Sequence, residues 1–211
     1  MNIFALSRNP TQAATSMLDK HVVKMPTETC QMLHTNALFF EYIEHYGEEP
    51  TLAQLKAFHR DIGSNLMKPA MLNHPSTIWA RQNPNNTLWL YTHGLALCTE
   101  YTHRYGKKHG SQERILDTTQ YLPNDGRWID ATPVTIAMDD KYRLDYNNDI
   151  DMWEFVILQY RHYYLEGKWK FAEWRKSRMP EWWPKDHYKT KYNEEIDSYN
   201  ERWNANLERL E

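Results

Sequence analysis

The sequence predicts an all-α protein that folds as a single compact multi-helix domain. Apolar residues recur at intervals of three and four along most of the chain, which is the period of an amphipathic helix. Alternating patterns typical of strands are scarce, and Asn, Pro and Gly stand where helices would begin and end. A length of 211 residues suits one domain with a sizeable core and at most one appended element.

The first predicted helices follow a short extended start over residues 1–8. Residues 9–11 read Asn-Pro-Thr, which favours a helix start because Asn or Thr can cap it and Pro suits the first turn. Apolar positions then keep helical spacing up to Gly47, and we expect Pro26 to kink this run or split it. A further amphipathic segment covers residues 51–66.

The middle of the chain carries the same kinds of signal. A turn at 73–77 precedes a long helix over about 85–106, which Gly106 closes. Residues 110–135 contain Gly, Pro, Asn and Asp with little periodicity, so we expect a long irregular loop there. Another helix is expected over about 150–166.

The C-terminal end has an amphipathic pattern of its own. We expect residues 1–191 to form the domain and residues 192–211 to form a helix packed on it or on a partner. The apolar positions that step by three and four there are Ile196, Tyr199, Trp203, Leu207 and Leu210.

Composition limits the classes of function. The formal net charge is −3, so no global basic field attracts nucleic acid or an anionic membrane. Cys30 and Cys98 fit no metal motif and are typical of small buried residues in a reducing compartment. No run is long enough for a membrane span, and the N-terminus is a poor signal peptide. We therefore expect a cytoplasmic protein, in the host cell if phage-encoded, with no membrane partner and no cofactor; the oligomeric state stays open.

Four ionisable side chains stand near the start of the first long helix: Asp19, His21, Lys24 and Glu28. His21 and Glu28 are two helical turns apart and therefore lie on one face, with Lys24 within reach of both. Side chains of three chemical kinds on one face could form an acid–base site. A solvated, salt-bridged helix face has the same pattern and remains the alternative.

Two other groups of residues suggest chemistry. Glu100 and His103 have the ExxH spacing of carboxylate-bridged metal sites, but no second copy exists, and a hydrogen-bonded helix pair explains them as well. His74 stands in a turn that Pro75 makes rigid, where it could face a site or cap a helix. Residues 161–191 hold nine Lys or Arg and four Asp or Glu among several Trp, a pattern that suits nucleic-acid contact as well as a solvated face over an aromatic core.

Several segments resemble a family of phage and bacterial proteins that brings no activity with it. The matching pieces are DKHVVKM at 19–25 with Glu28, NHP at 73–75, ALCTEYTHRYGKKH at 96–109 and YRHYYLEGK at 160–168.

The N-terminal half also resembles, remotely, the phage pyrimidine-dimer DNA glycosylase family, also called endonuclease V, whose members are small all-α enzymes. That family has an Asp-x-His followed by a catalytic Glu, which correspond here to Asp19, His21 and Glu28. A His in a turn before an aromatic helix start corresponds to His74 and Trp79. A long helix that ends in a basic turn follows, here over residues 88–108.

The chain departs from that family at several positions. Thr27 and Gln31 stand where the family has Arg. The family nucleophile is the α-amine of a small residue exposed when the initiator Met is removed, whereas residue 2 here is Asn, whose bulk disfavours removal. An amine nucleophile would then be the Met1 α-amine, which is partly neutral near pH 7, or Lys24.

The resemblance implies a DNA- or nucleotide-processing enzyme that cleaves the N-glycosidic bond of a pyrimidine base, as an N-glycosylase or lyase does through an imine. Glu28 would stabilise the cationic sugar and move protons, His21 and Asp19 would orient it, and Met1 or Lys24 would attack C1′. Residues expected to contact the substrate or its phosphates are Asn73, His74, Arg104, Lys107, Arg161 and Lys168.

Two other functions stay open. The first is a metal-dependent enzyme built on His21, Glu28, Glu100 and His103. The second is a non-catalytic phage protein that binds a host protein through its aromatic and acidic surfaces. The partner is nucleic acid or a nucleotide in the leading interpretation.

Overall fold

The computed structural model describes residues 1–124, 126–146 and 148–207, which contain eight α-helices and no strand. The all-α prediction is therefore confirmed. The helices are α1 Pro10–Thr15, α2 Asp19–Tyr46, α3 Leu52–Asp61, α4 Pro75–Gln82, α5 Pro84–Tyr105, α6 Gln112–Leu116, α7 Met152–Gly167 and α8 His187–Leu207. Short 3-10 helices span Asp117–Tyr121, Trp128–Asp130, Asp140–Tyr142 and Trp169–Phe171.

The longest helix, α2, runs unbroken through Pro26, so the chain does not split there. A proline inside a helix removes a backbone hydrogen bond and costs ~3 kcal/mol or more. Val22 and Met25 are buried in the main core beside it, and this packing holds the helix together. Gly47 and Gly106 end α2 and α5 as predicted, with φ values of 74° and 71° that favour glycine.

Helix α5 lies at the centre and packs against α1, α2, α4 and α6. The main core is rich in aromatic side chains and includes Trp79, Trp89 and Trp153, together with the N-terminal residues 3–6. A smaller apolar cluster joins the second half of α2 to α3. None of the described helices is long and apolar enough to cross a membrane.

Two segments differ from the sequence prediction in detail. Residues 110–135 are less irregular than expected, because Ile115 is buried in the core and anchors the short helix α6. Helix α8 begins at His187 rather than 192, and Lys191 on it pairs with Glu166 of α7 at 2.7 Å. The apolar position Leu210 lies outside the described residues, and a separate C-terminal unit remains a prediction.

His93 on α5 is an unusual member of the core. It is fully buried, and neither ring nitrogen has a hydrogen-bond partner among the residues that the structure describes. Its ring stacks on Trp89 with centroids 4.9 Å apart. Burial lowers the pKa of His93 to about 3, so the folded protein holds a neutral imidazole.

We expect His93→Leu to stabilise the protein more at pH 5 than at pH 7. The unfolded chain protonates this histidine below about pH 6.5, whereas the folded imidazole stays neutral down to about pH 3, so acid favours unfolding across that window. The extra gain at pH 5 should be roughly 2 kcal/mol, since one pKa unit corresponds to about 1.4 kcal/mol. Urea unfolding at both pH values measures it, and an equal effect at the two would contradict the prediction.

Candidate active site

The Glu28 carboxylate is contacted by three nitrogen groups. Lys24 Nζ lies 2.7 Å from Oε1, the backbone N–H of Asn2 donates to Oε2 at 2.9 Å, and the Met1 α-amine lies 3.7 Å from Oε2. The Glu28 side chain is 15% exposed, so solvent still reaches this group. The arrangement places a carboxylate between two amines, one of which is an α-amine.

The Met1 side chain fixes the position of that α-amine. The side chain is only 4% exposed, and the hydroxyl of Thr77 on α4 lies 3.5 Å from Sδ. In contrast, the Lys24 side chain is 68% exposed. The α-amine is therefore held by burial next to Glu28, whereas the Lys24 amine stands at the surface.

Asn2 links the same cluster to the C-terminal part of the chain. Its Nδ2 donates to the carbonyl of Ala137 at 2.6 Å, and its Oδ1 lies 3.0 Å from the Tyr160 hydroxyl. That hydroxyl also lies 2.8 Å from the Thr135 carbonyl and accepts from the Ala137 N–H at 3.1 Å. Sequence reasoning missed Asn2 and Tyr160 as site residues, because Tyr160 reads as an ordinary apolar-face residue of α7.

His21 lies beside the cluster in a packed aromatic pocket. Its Nδ1 is 2.5 Å from the Tyr164 hydroxyl, and its ring stacks on Phe4 with centroids 4.2 Å apart. Burial, together with the charges of Lys168 and Lys24, lowers the pKa of His21 to about 3. The imidazole is therefore neutral, and among the described contacts it bonds to Tyr164 rather than to Glu28.

Phe4 holds a strained backbone conformation at this place. Its φ is 43°, in the left-handed region that a bulky residue rarely adopts. Such strain persists only where surrounding contacts determine the conformation, and it is common at functional sites. Here it sets the phenyl ring against His21, Tyr163 and Tyr164.

His74 is the N-cap of α4, and its Nδ1 accepts from the Ser76 N–H at 3.2 Å. Burial lowers the pKa of His74, the charge of the Met1 α-amine lowers it further, and Glu28 raises it. His74 therefore lies within electrostatic range of both groups while it caps a helix. Asn73 beside it is exposed.

Asp19 does not join this cluster, contrary to the expectation from sequence. Its carboxylate accepts from Arg104 Nη1 at 2.8 Å and from the Arg175 backbone N–H at 3.0 Å. Arg104 Nε also donates to Glu100 at 2.7 Å, and Nη2 donates to the Thr15 carbonyl at 3.2 Å. These residues form a buried ion network, in which Arg104 has no exposed donor left for a phosphate.

The other predicted phosphate contacts divide into two kinds. Arg161 donates from Nε and Nη2 to the Leu6 carbonyl at 3.2 and 3.0 Å, so it supports the N-terminal segment. Lys107 is exposed, and Lys168 lies over the Tyr163 ring with its ammonium 4.4 Å from the centroid. Of the four predicted cations, Lys107 and Lys168 therefore remain able to meet a phosphate.

The metal-dependent alternative gains no support from the donor groups. Within the described residues no three His, Cys, Asp or Glu side chains come together as a metal site would require. Glu100 is bonded to Arg104 and Ser177, and His103 Nε2 lies 3.0 Å from the Lys176 carbonyl. The ExxH pair thus has structural partners.

The fold and the cluster together define an all-α protein with an α-amine held against a carboxylate. Comparison with family models gives a match to pyrimidine dimer DNA glycosylase over residues 1–113. The chain belongs to this family, and the remote resemblance seen in its N-terminal half is confirmed. Comparison with curated proteins and with solved structures gives no match. Tyr160, Tyr164 and Lys168 lie outside the matched part.

Proposed function

We propose that this protein is a DNA glycosylase that removes a pyrimidine base, with the Met1 α-amine as nucleophile and Glu28 as the group that carries protons. The proposal rests on one observation above all: the α-amine lies 3.7 Å from the Glu28 carboxylate and is anchored by a buried side chain. Membership of the pyrimidine dimer DNA glycosylase family supports this class of reaction and DNA as the class of substrate.

The proposed reaction exchanges one bond at C1′ for another. The neutral amine forms a bond to C1′ while the bond to the base breaks, and the base leaves with the bonding electrons and takes up a proton. The amine nitrogen then loses its protons and the sugar ring oxygen gains one, which opens the ring and leaves an imine. The Glu28 carboxylate stabilises the positive charge on the sugar and accepts the amine proton.

The neighbouring groups position the Met1 α-amine and the Glu28 carboxylate for this reaction. His21 is neutral at physiological pH and lies beside Lys24, so it adds no positive charge that would compete for Glu28. Asn2 and Tyr160 hold the N-terminal backbone through side-chain hydrogen bonds. We assign them, together with His21 and His74, as positioning residues, and we assign Lys24 as the cation that pairs with the Glu28 carboxylate.

Borohydride trapping tests the proposal. We expect a covalent adduct when the protein is reduced in the presence of duplex DNA that contains a pyrimidine dimer or an abasic site. Peptide mass mapping should place the adduct on the Met1 nitrogen, and Lys24→Gln should still form it. Intact mass of the protein gives the N-terminal residue in the same experiment.

Other outcomes would contradict parts of the proposal. An adduct on Lys24 would replace Met1 as the nucleophile. An adduct on the nitrogen of Asn2 would mean that Met1 is removed and that the α-amine of Asn2 is the nucleophile. The position of that nitrogen suits this role, because it lies 2.9 Å from Glu28 Oε2. The absence of an adduct with every DNA substrate would reject the glycosylase mechanism.

A further inference from the structure

Beside the Glu28 cluster lies a surface of alternating cations and aromatic rings, the cation–aromatic patch, formed by Lys20, Tyr142, Tyr163, Lys168 and Phe171. The ammonium of Lys20 lies 4.4 Å from the centroid of Phe171, and that of Lys168 lies 4.4 Å from Tyr163 and 6.0 Å from Phe171. Tyr142 packs against Tyr163 with centroids 4.8 Å apart. All three rings are partly exposed.

The patch is continuous with the candidate active site. Tyr163 stacks on Phe4 with centroids 6.1 Å apart, and Phe4 in turn stacks on His21. His21 also meets the edge of Phe171, with ring centroids 6.4 Å apart, so the aromatic pocket around His21 borders the patch directly. A strand whose sugar reached Glu28 would therefore pass near the patch.

The chemistry of the patch fits a nucleic-acid strand. Lys24 and Lys170 pair with carboxylates, whereas neither Lys20 nor Lys168 has such a partner among the described residues. A cation over an exposed ring is held weakly, so each ammonium can move to a phosphate and leave the ring face for a base.

The state of the strand follows from the same contacts. Bases stack on protein rings only when their faces are free of duplex neighbours, so the rings favour unpaired nucleotides. Asp139 and Asp140 precede Tyr142 in the chain and pair with Lys141 and Arg143, so phosphates are expected at the Lys20 and Lys168 end. Except for Lys20, the patch lies outside the family match of residues 1–113.

We propose that the cation–aromatic patch binds a short unpaired stretch of the DNA strand next to the base that reaches Glu28. The position of this stretch rests on the proposed function, but binding at the patch does not require the glycosylase reaction. The segment that follows the family match would thereby add a single-strand contact to the enzyme.

Fluorescence anisotropy with an undamaged thymidine oligonucleotide, and with a duplex of the same length, tests this proposal. We expect Lys20→Gln and Lys168→Gln each to weaken single-strand binding about three- to tenfold at low salt and to lower the salt slope by about 0.7. Lys170→Gln is the matched control, because Lys170 also lies near a ring but pairs with Glu195. It should bind like the wild type.

Phe171→Leu separates stacking from charge. It keeps the net charge, and we expect it to lower single-strand affinity about fivefold or more while it changes duplex affinity less. Thermal unfolding of each variant shows whether the fold is kept. If Phe171→Leu is unstable, the two lysine variants still test the patch, because they alter exposed or partly exposed side chains.

The results distinguish this proposal from the glycosylase proposal. Binding that is unchanged in the two lysine variants and in Phe171→Leu, or no binding to single strands at low salt, would overturn the role of the patch even if borohydride trapping succeeds. Patch-dependent binding without any trapped adduct would keep the patch as a single-strand site and reject the reaction.

Discussion

Glu28→Gln is expected to lower the single-turnover rate of base release by about 10²–10⁴-fold, the range for loss of one acid–base group. The amide keeps the shape of the side chain and can still accept the Asn2 N–H, but it cannot take the proton of the Met1 α-amine or oppose a positive charge on the sugar. The trapped adduct should disappear with it. Rates with dimer-containing duplex DNA measure the effect.

Glu44→Gln provides the matched control for this prediction. Glu44 lies on the same helix α2, is exposed and undergoes the same chemical change, yet it lies outside the cluster around the N-terminus. It should act like the wild type. A folded Glu28→Gln protein with wild-type activity would mean that Glu28, Lys24 and Met1 form only an ion-paired surface, which was the alternative that the sequence left open.

Helical spacing explains why part of this cluster could be predicted and part could not. Lys24 and Glu28 are one turn apart, and their side chains meet as the spacing requires. Asp19 and His21 are two residues apart and therefore point to different sides of a helix, so one of them had to leave the face. In the structure Asp19 pairs with Arg104, whereas His21 lies in the aromatic pocket and contacts the Tyr164 hydroxyl.

The site residues that the sequence did not predict come from distant parts of the chain. Tyr160 and Tyr164 meet Asn2 and His21 across separations of 158 and 143 residues. A helical repeat reveals only that both tyrosines share a face of α7, and an aromatic face of that kind is typical of a core. Their hydroxyl groups acquire a role only when the N-terminal segment packs on them.

The fold was predictable wherever local signals decide it. Gly47 and Gly106 end helices because their left-handed conformation suits glycine, and Asn9 caps α1 through two backbone N–H groups. The continuity of α2 through Pro26 could not be predicted from local signals, because it depends on core packing against other segments. Helix α6 could not be predicted for the same reason, because a single buried residue, Ile115, anchors it in the core.

Arg104 shows most clearly how burial changes the meaning of a charged residue. In the sequence it belongs to a basic helix end and suggests phosphate binding. In the structure it joins Asp19 at the start of α2 to Glu100 on α5, and it also bonds to the Thr15 carbonyl at the end of α1. The network therefore fixes three helices relative to one another.

We expect Arg104→Met to lower the free energy of unfolding by about 3–5 kcal/mol, because it leaves two largely buried carboxylates without their cation. Urea unfolding at pH 7 measures the loss. Arg127→Met is the matched control: that guanidinium pairs with Asp130 at the exposed surface, where an ion pair contributes about 0–1 kcal/mol.

Two further measurements separate a structural role of this network from a catalytic one. Adding Asp19→Asn and Glu100→Gln to Arg104→Met should recover much of the stability, because the uncompensated charges are then gone. No hydrogen bond among the described residues joins Arg104 to Glu28, so folded Arg104→Met protein at low temperature should still form the trapped adduct. Loss of the adduct without loss of stability would instead place Arg104 in contact with the substrate, as the sequence first indicated.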